Sequence, residues 1–129
     1  MKALRPLFLL ILTIFILMGI SKVSTPIDNL PRPWSVEDSK AYARDKVLAW
    51  ADKQWVCLDK LWTKESHWRP NAYNKVKVMG KNAGGIPQLL SLDPATKPTL
   101  QIDRGMSYII YRYGTPCNAW AHHQRKGWY

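Results

Sequence analysis

The sequence is short of acid. Nine Asp and Glu stand against nineteen Lys and Arg, and between Lys60 and Lys81 Glu65 is the only acidic residue. A formal net charge of +10 suits an anionic partner: nucleic acid, anionic lipid, or a cell wall rich in carboxylates and phosphates. The chain also lacks a dense Lys/Arg block, which argues against nucleic acid. Cysteine is scarce. Only Cys57 and Cys117 are present, with no CxxC and no Cys/His spacing of a zinc site. His67, His122 and His123 do not make up the difference, because adjacent residues 122 and 123 point to different faces of a regular helix. No metal site is therefore expected. A spanning helix needs about 20 apolar residues, and the apolar run from Leu7 to Ile20 is shorter.

That run follows Lys2 and Arg5, so it reads as a signal peptide or signal anchor over residues 1–24. Gly19 and Ser21 permit cleavage after Ser21, which would remove Lys2 and Arg5 and lower the charge from +10 to +8. Retention as an anchor is the alternative, with membrane association through residues 7–20. Either way the remainder is expected outside the cytoplasm, in the wall, the extracellular space or the periplasm. Pro26, Pro31 and Pro33 mark a linker over residues 25–34. Residues 35–129 form one small domain, expected to be a monomer.

The domain reads as mostly helical, with a short hairpin or irregular loop. Ser35-Val36-Glu37-Asp38 is an N-cap with an acidic first turn. The helix behind it runs to about Leu48 or Trp50, with Tyr42, Ala43 and Val47 inward. A second helix runs from about Lys53 to Ser66. From Asn71 to Gln88 the helical period is lost, and turn residues lead into Gly85-Ile86-Pro87-Gln88. Asp93-Pro94 and Lys97-Pro98 mark a connector. A third helix spans about Leu100 to Tyr113, buries Ile102, Met106, Ile109, Ile110 and Tyr113, and stops at Gly114. Thr115-Pro116 opens a last helix carrying Cys117, Ala119, Trp120 and His122. Seven Trp and six Tyr are many for 129 residues; they suit a core or a groove that stacks sugar rings, and most of the Trp are assigned to the core. An even cysteine pair in an exported chain suggests one disulfide, two free buried thiols being the alternative. A bridge would tie the second helix to the C-terminal segment and contribute about 2–4 kcal/mol.

Glu65 stands out within this frame. Leu58, Leu61, Trp62 and Glu65 fall at i, i+3, i+4 and i+7, so Glu65 shares the inward face. Pro70 follows closely, which places Glu65 in the last turn, at the negative end of the helix dipole. Burial and dipole both raise a carboxyl pKa. A carboxylic acid held protonated near neutrality is a general acid. The alternative is a Glu turned to solvent at a frayed helix end.

An ordered set of short motifs carries a resemblance. Cys57-Leu58-Asp59-Lys60-Leu61-Trp62 is followed by Glu65-Ser66-x-Trp68, Gly85-Ile86-Pro87-Gln88, Gln101-Ile102, Tyr108-Ile109, Arg112-Tyr113-Gly114, Pro116-Cys117, Ala119-Trp120 and Gly127-Trp128-Tyr129. Over residues 35–129 the chain resembles the compact secreted lytic transglycosylase domains of the lysozyme-like superfamily, of the type common in actinobacteria and their phages. The resemblance implies an α+β lysozyme-like fold, no cofactor, and peptidoglycan glycan strands as partner. It implies cleavage of the β-1,4 bond between N-acetylmuramic acid and N-acetylglucosamine by a single catalytic Glu, matched by Glu65. That residue would protonate the glycosidic oxygen, then take a proton as the muramyl 6-hydroxyl closes a 1,6-anhydro ring. Ser66, Gln88, Tyr108 and Trp120 match substrate-binding positions. The chain departs from the family at His67, where glycine is usual, and in Lys81-Asn82-Ala83-Gly84 before the Gly85 motif. The segment from Leu89 to Leu100 is also shorter than in many relatives. Two other readings remain at this point. One is a peptidoglycan hydrolase using a second carboxylate, with Asp59, Asp93 and Asp103 as candidates. The other is a catalytically silent wall-binding or virion structural module.

Overall fold

The structure is a computed structural model that describes residues 32–129. The expected leader, residues 1–24, and most of the expected linker lie outside the described residues. The elements below belong to one compact unit, Pro33–Tyr129. It is mostly helical with one two-stranded sheet: α1 (Val36–Val47), α2 (Asp52–Ser66), β1 (Ala83–Gly84), β2 (Leu89–Leu90), α3 (Pro98–Tyr113) and α4 (Pro116–Lys126). No helix among the described residues is long and apolar enough to cross a membrane.

Local chemistry explains the helix ends. Ser35 Oγ accepts from the Asp38 amide at 3.1 Å, and Asp38 accepts from the Ser35 amide at 2.8 Å. This reciprocal cap satisfies two of the amides that a helix start leaves open. Thr115 caps α4 from one side only, accepting from the Asn118 amide at 3.2 Å. Pro98 belongs to α3 rather than to the connector before it, because a proline in the first turn has no amide to lose there. Gly114 and Gly127 end α3 and α4 at φ 81° and 78°.

Helix α2 is the central element and packs chiefly on α4. Leu58, Leu61 and Trp62 from α2 meet Ala43 and Val47 of α1, Ile102, Met106 and Ile109 of α3, and Ala119 of α4. Ile86 and Trp68 complete the core from the loops. Two expectations about the core differ. Ile110 is 48% exposed, because it lies about 100° around the helix from Ile109, which takes the inward place. The tryptophans are also more dispersed than expected. Trp62 and Trp68 are buried, Trp55 and Trp120 are half-buried, and Trp34, Trp50 and Trp128 are exposed.

Cys57 on α2 and Cys117 on α4 lie at disulfide-bonding distance, with Cα atoms 4.9 Å apart across 60 residues of sequence. Closing so long a loop in the unfolded chain is worth about 4 kcal/mol in the chain-entropy model. That is a large contribution for a domain with so small a core.

The segment from residue 71 to 92 is a hairpin system rather than an irregular loop. Tyr73 bridges Gly84, and Val78 bridges Lys81 across the tip. β1 then pairs antiparallel with β2, Ala83 opposite Leu90 and Gly84 opposite Leu89. The connection between these two strands is Gly85-Ile86-Pro87-Gln88.

Candidate functional site

The chain leaves α2 by an abrupt reversal. His67 and Trp68 are both left-handed, at φ 53° and 60°. Neither is glycine, so each carries backbone strain. The reversal lays the Trp68 ring back under α2. There it meets Trp62 edge-on at 5.1 Å, and its indole donates to Asp59 at 2.8 Å. This anchorage fixes the last turn of α2, which carries Glu65 and Ser66.

The 85–88 connection is clamped onto that turn. Ser66 is buried, and its hydroxyl donates to the Ile86 carbonyl at 2.6 Å. Tyr129 donates its phenol proton to the Pro87 carbonyl at 2.6 Å and accepts from the Trp62 indole at 2.9 Å. Gln101 holds the other side of the loop. Its Oε1 accepts from the Ile86 amide at 2.9 Å, while its Nε2 lies 2.8–3.2 Å from the carbonyls of Pro70, Pro94 and Thr96. Two glycines make the close fit possible. A Cβ at Gly85, where φ is 73°, would fall 2.4 Å from Gln101 Oε1. One at Gly105 would fall 2.7 Å from Pro87 and from the Trp62 ring.

Glu65 faces this structure with its side chain 18% exposed. It is neither frayed out to solvent nor sealed. Burial raises its pKa from the ordinary carboxylate value to about 7. Its Oε1 lies 3.1 Å from His123 Nε2 of α4. That distance would suit an ion pair, but burial acts against one from both sides. It raises Glu65, and together with the charges of Lys64 and His122 it lowers His123. Around neutrality the imidazole is therefore neutral and Glu65 is partly protonated. Tyr129 feels the same carboxyl: burial first, then the charge on Glu65, pushes its phenol well above the usual value.

No family model, curated protein or solved structure matches this chain. The residues themselves thus carry the functional reading, and their placement is as follows. Glu65 and Ser66 share the last turn of α2, but only Glu65 reaches the surface; Ser66 acts on the 85–88 loop. Gln88 turns its amide back on the loop, with Nε2 2.9 Å from the Gly85 carbonyl and 3.3 Å from that of Ala72. Trp120 is half-buried and stacks on His123, ring centroids 5.5 Å apart and planes 15° apart. Tyr108 is half-buried and meets Tyr129 edge-on at 5.7 Å. Trp120 and Tyr108 thus join the Glu65 site through His123 and Tyr129.

His123, Tyr129 and Gln101 were not singled out as site residues from the sequence. A signal for His123 existed in the bridge. Glu65 lies eight residues beyond Cys57 and His123 six beyond Cys117. At 1.5 Å per residue these are rises of about 12 and 9 Å from a shared anchor. His122 is different: its ring packs on Tyr113 and Trp128, and its Nε2 is buried with no hydrogen-bond partner.

The candidate second carboxylates are each engaged elsewhere. Asp59 takes the Trp68 indole and Lys40 Nζ, the latter at 2.9 Å. Asp103 takes the Tyr42 hydroxyl and, at 3.0 Å, Lys46 Nζ. Asp93 accepts from the Ala95 amide at 2.8 Å in its own turn. Among the described residues no group of three His, Cys, Asp or Glu is placed to hold a metal ion. A shallow depression of about 380 Å³, lined by Tyr73, Lys81, Asn82, Ser91 and Asp93, includes none of the Glu65 site.

Proposed function

We propose that this chain is a peptidoglycan lytic transglycosylase of the lysozyme-like kind, with Glu65 as its acid and base. The observation that carries the proposal is a single half-buried carboxyl whose pKa is raised to about 7, held at a rigid helix end beside a clamped loop. The ordered motifs, from Glu65-Ser66 to Gly127-Trp128-Tyr129, supply the substrate class. Glu65 in its acid form protonates the oxygen between N-acetylmuramic acid and N-acetylglucosamine. As the carboxylate it then accepts the muramyl 6-hydroxyl proton while that oxygen closes on the anomeric carbon. No water enters the products. His123 Nε2, 3.1 Å from Glu65, receives the acid's hydrogen bond before transfer. The engagement of Asp59 by Lys40 and the Trp68 indole, and of Asp103 by Lys46 and the Tyr42 hydroxyl, favours this single-carboxylate route over a hydrolase that uses two.

The test is Glu65→Gln assayed on purified peptidoglycan. Loss of acid and base together should lower turnover by about 10²–10⁴, with the fold retained. Turnover like that of the unsubstituted chain would overturn the assignment.

A further inference from the structure

Between Glu65 and Asp93 the chain has four basic residues, Arg69, Lys75, Lys77 and Lys81, and no acidic one. Three of them alternate with Val76, Val78 and Met79 at the end of the hairpin. There the amide of Lys81 bonds the Val78 carbonyl at 3.0 Å, and the Val78 amide bonds the Lys81 carbonyl at 2.8 Å. The turn between them is Met79-Gly80, with φ 53° and 77°. Val76 is 70% exposed, Val78 51% and Met79 89%. The three lysines are exposed, and among the described residues none is paired with a carboxylate.

Met79 is the odd choice. A two-residue turn with both φ values positive favours Asn or Asp before Gly. Asn would relieve the left-handed strain and remove an apolar side chain from water. Met does neither, so its presence is accounted for by something that takes up the tip. A soluble polyanion would use the lysines and leave the apolar residues wet. An apolar groove would use Val76, Val78 and Met79 and strand the lysines. The interface of an anionic bilayer uses both: apolar side chains enter the headgroup boundary while lysines extend to the phosphates.

We propose that the hairpin tip, residues 75–81, docks onto an anionic phospholipid bilayer, with Met79, Val76 and Val78 inserted and Lys75, Lys77 and Lys81 on phosphates. The proposal is independent of the reaction at Glu65 and of residues 7–20.

The experiment is hydrogen exchange of the full chain, read by mass spectrometry over a peptide covering residues 75–81. It is run with phosphatidylglycerol-containing vesicles, with phosphatidylcholine vesicles, and with soluble polyphosphate. Because the readout is local to the tip, binding through another segment does not imitate it. Exchange at the tip should slow with the anionic vesicles alone. Each Lys→Gln should weaken that response roughly five-fold. Met79→Asn should preserve or raise the melting temperature while abolishing the protection, which separates docking from folding. No protection by anionic vesicles, or undiminished protection in Met79→Asn, would overturn the proposal. Equal protection by phosphatidylcholine would remove the role of charge. Equal protection by polyphosphate would make the occupant a soluble anionic polymer, and either result also overturns it.

Discussion

Glu65 remains partly protonated near neutrality because its carboxyl is drawn inward by the same stripe that buries Leu58, Leu61 and Trp62. The consequence for stability has a definite sign. A folded pKa of about 7 against a model value of 4.5 means that the folded state holds the proton more tightly. The favourable contribution is complete below pH 4.5 and is lost as pH rises through about 7. The loss at higher pH is about 3 kcal/mol. Glu65→Gln, which cannot ionise, should therefore match the unsubstituted chain near pH 4 and exceed it in stability above pH 7. Melting temperature against pH for the two proteins checks this; parallel curves would deny the raised pKa. His67 offers a second single-residue test. Its φ of 53° lies where glycine is unstrained. Relief of about 1–2 kcal/mol of strain, less the added freedom of the unfolded chain, should leave His67→Gly about 0.5–1 kcal/mol more stable in urea unfolding. The inward face of Glu65 was legible because helical period alone decides it. The left-handed turn at His67 and Trp68 was not. Pro70 announces that the helix must stop, but only the place open to the Trp68 ring beneath α2 dictates how.

Among the elements, the pairing of α2 with the 85–88 connection shapes the site. The sequence shows Gly85-Ile86-Pro87-Gln88 as a glycine-led loop, and the structure makes it the connection of a two-stranded sheet. Its carbonyls are held by Ser66 from one helix and by Tyr129 from the chain end, 63 residues apart in sequence. Such a clamp leaves no local trace, so the bond from the Ser66 hydroxyl to the Ile86 carbonyl was not legible in the sequence. Gly105 tests the clamp. Alanine would favour α3 by about 1 kcal/mol on propensity. Its Cβ would nevertheless meet Pro87 and the Trp62 ring at 2.7 Å, and overpacking of this kind costs about 1–3 kcal/mol. Gly105→Ala should therefore lower stability to denaturant despite its better helix propensity. It should also reduce activity by moving the loop beside Glu65. A rise in stability with unchanged activity would show the contact to be slack. The stripe of α3 was read one residue too wide at Ile110, since two neighbouring isoleucines cannot both face inward.

In the whole molecule, the bridge between Cys57 and Cys117 makes one site from residues far apart in the chain. It fixes α4 against α2, and so brings His123 within 3.1 Å of Glu65 across 58 residues of sequence. The pairing of the cysteines could be anticipated from their even number in a chain read from its sequence as exported. The faces that the two helices turn to each other could not, because they depend on packing around Leu58, Trp62 and Ala119 rather than on any local pattern. The surplus of positive charge is likewise a property of the whole chain, and it suits an anionic partner. The decisive measurement is a mass-spectrometric analysis of purified peptidoglycan digested with the disulfide-bonded protein. Glu65 acting alone should yield muropeptides ending in 1,6-anhydromuramic acid. Reducing-end products heavier by one water would contradict the single-carboxylate route, and the absence of any product would contradict the enzymatic reading itself.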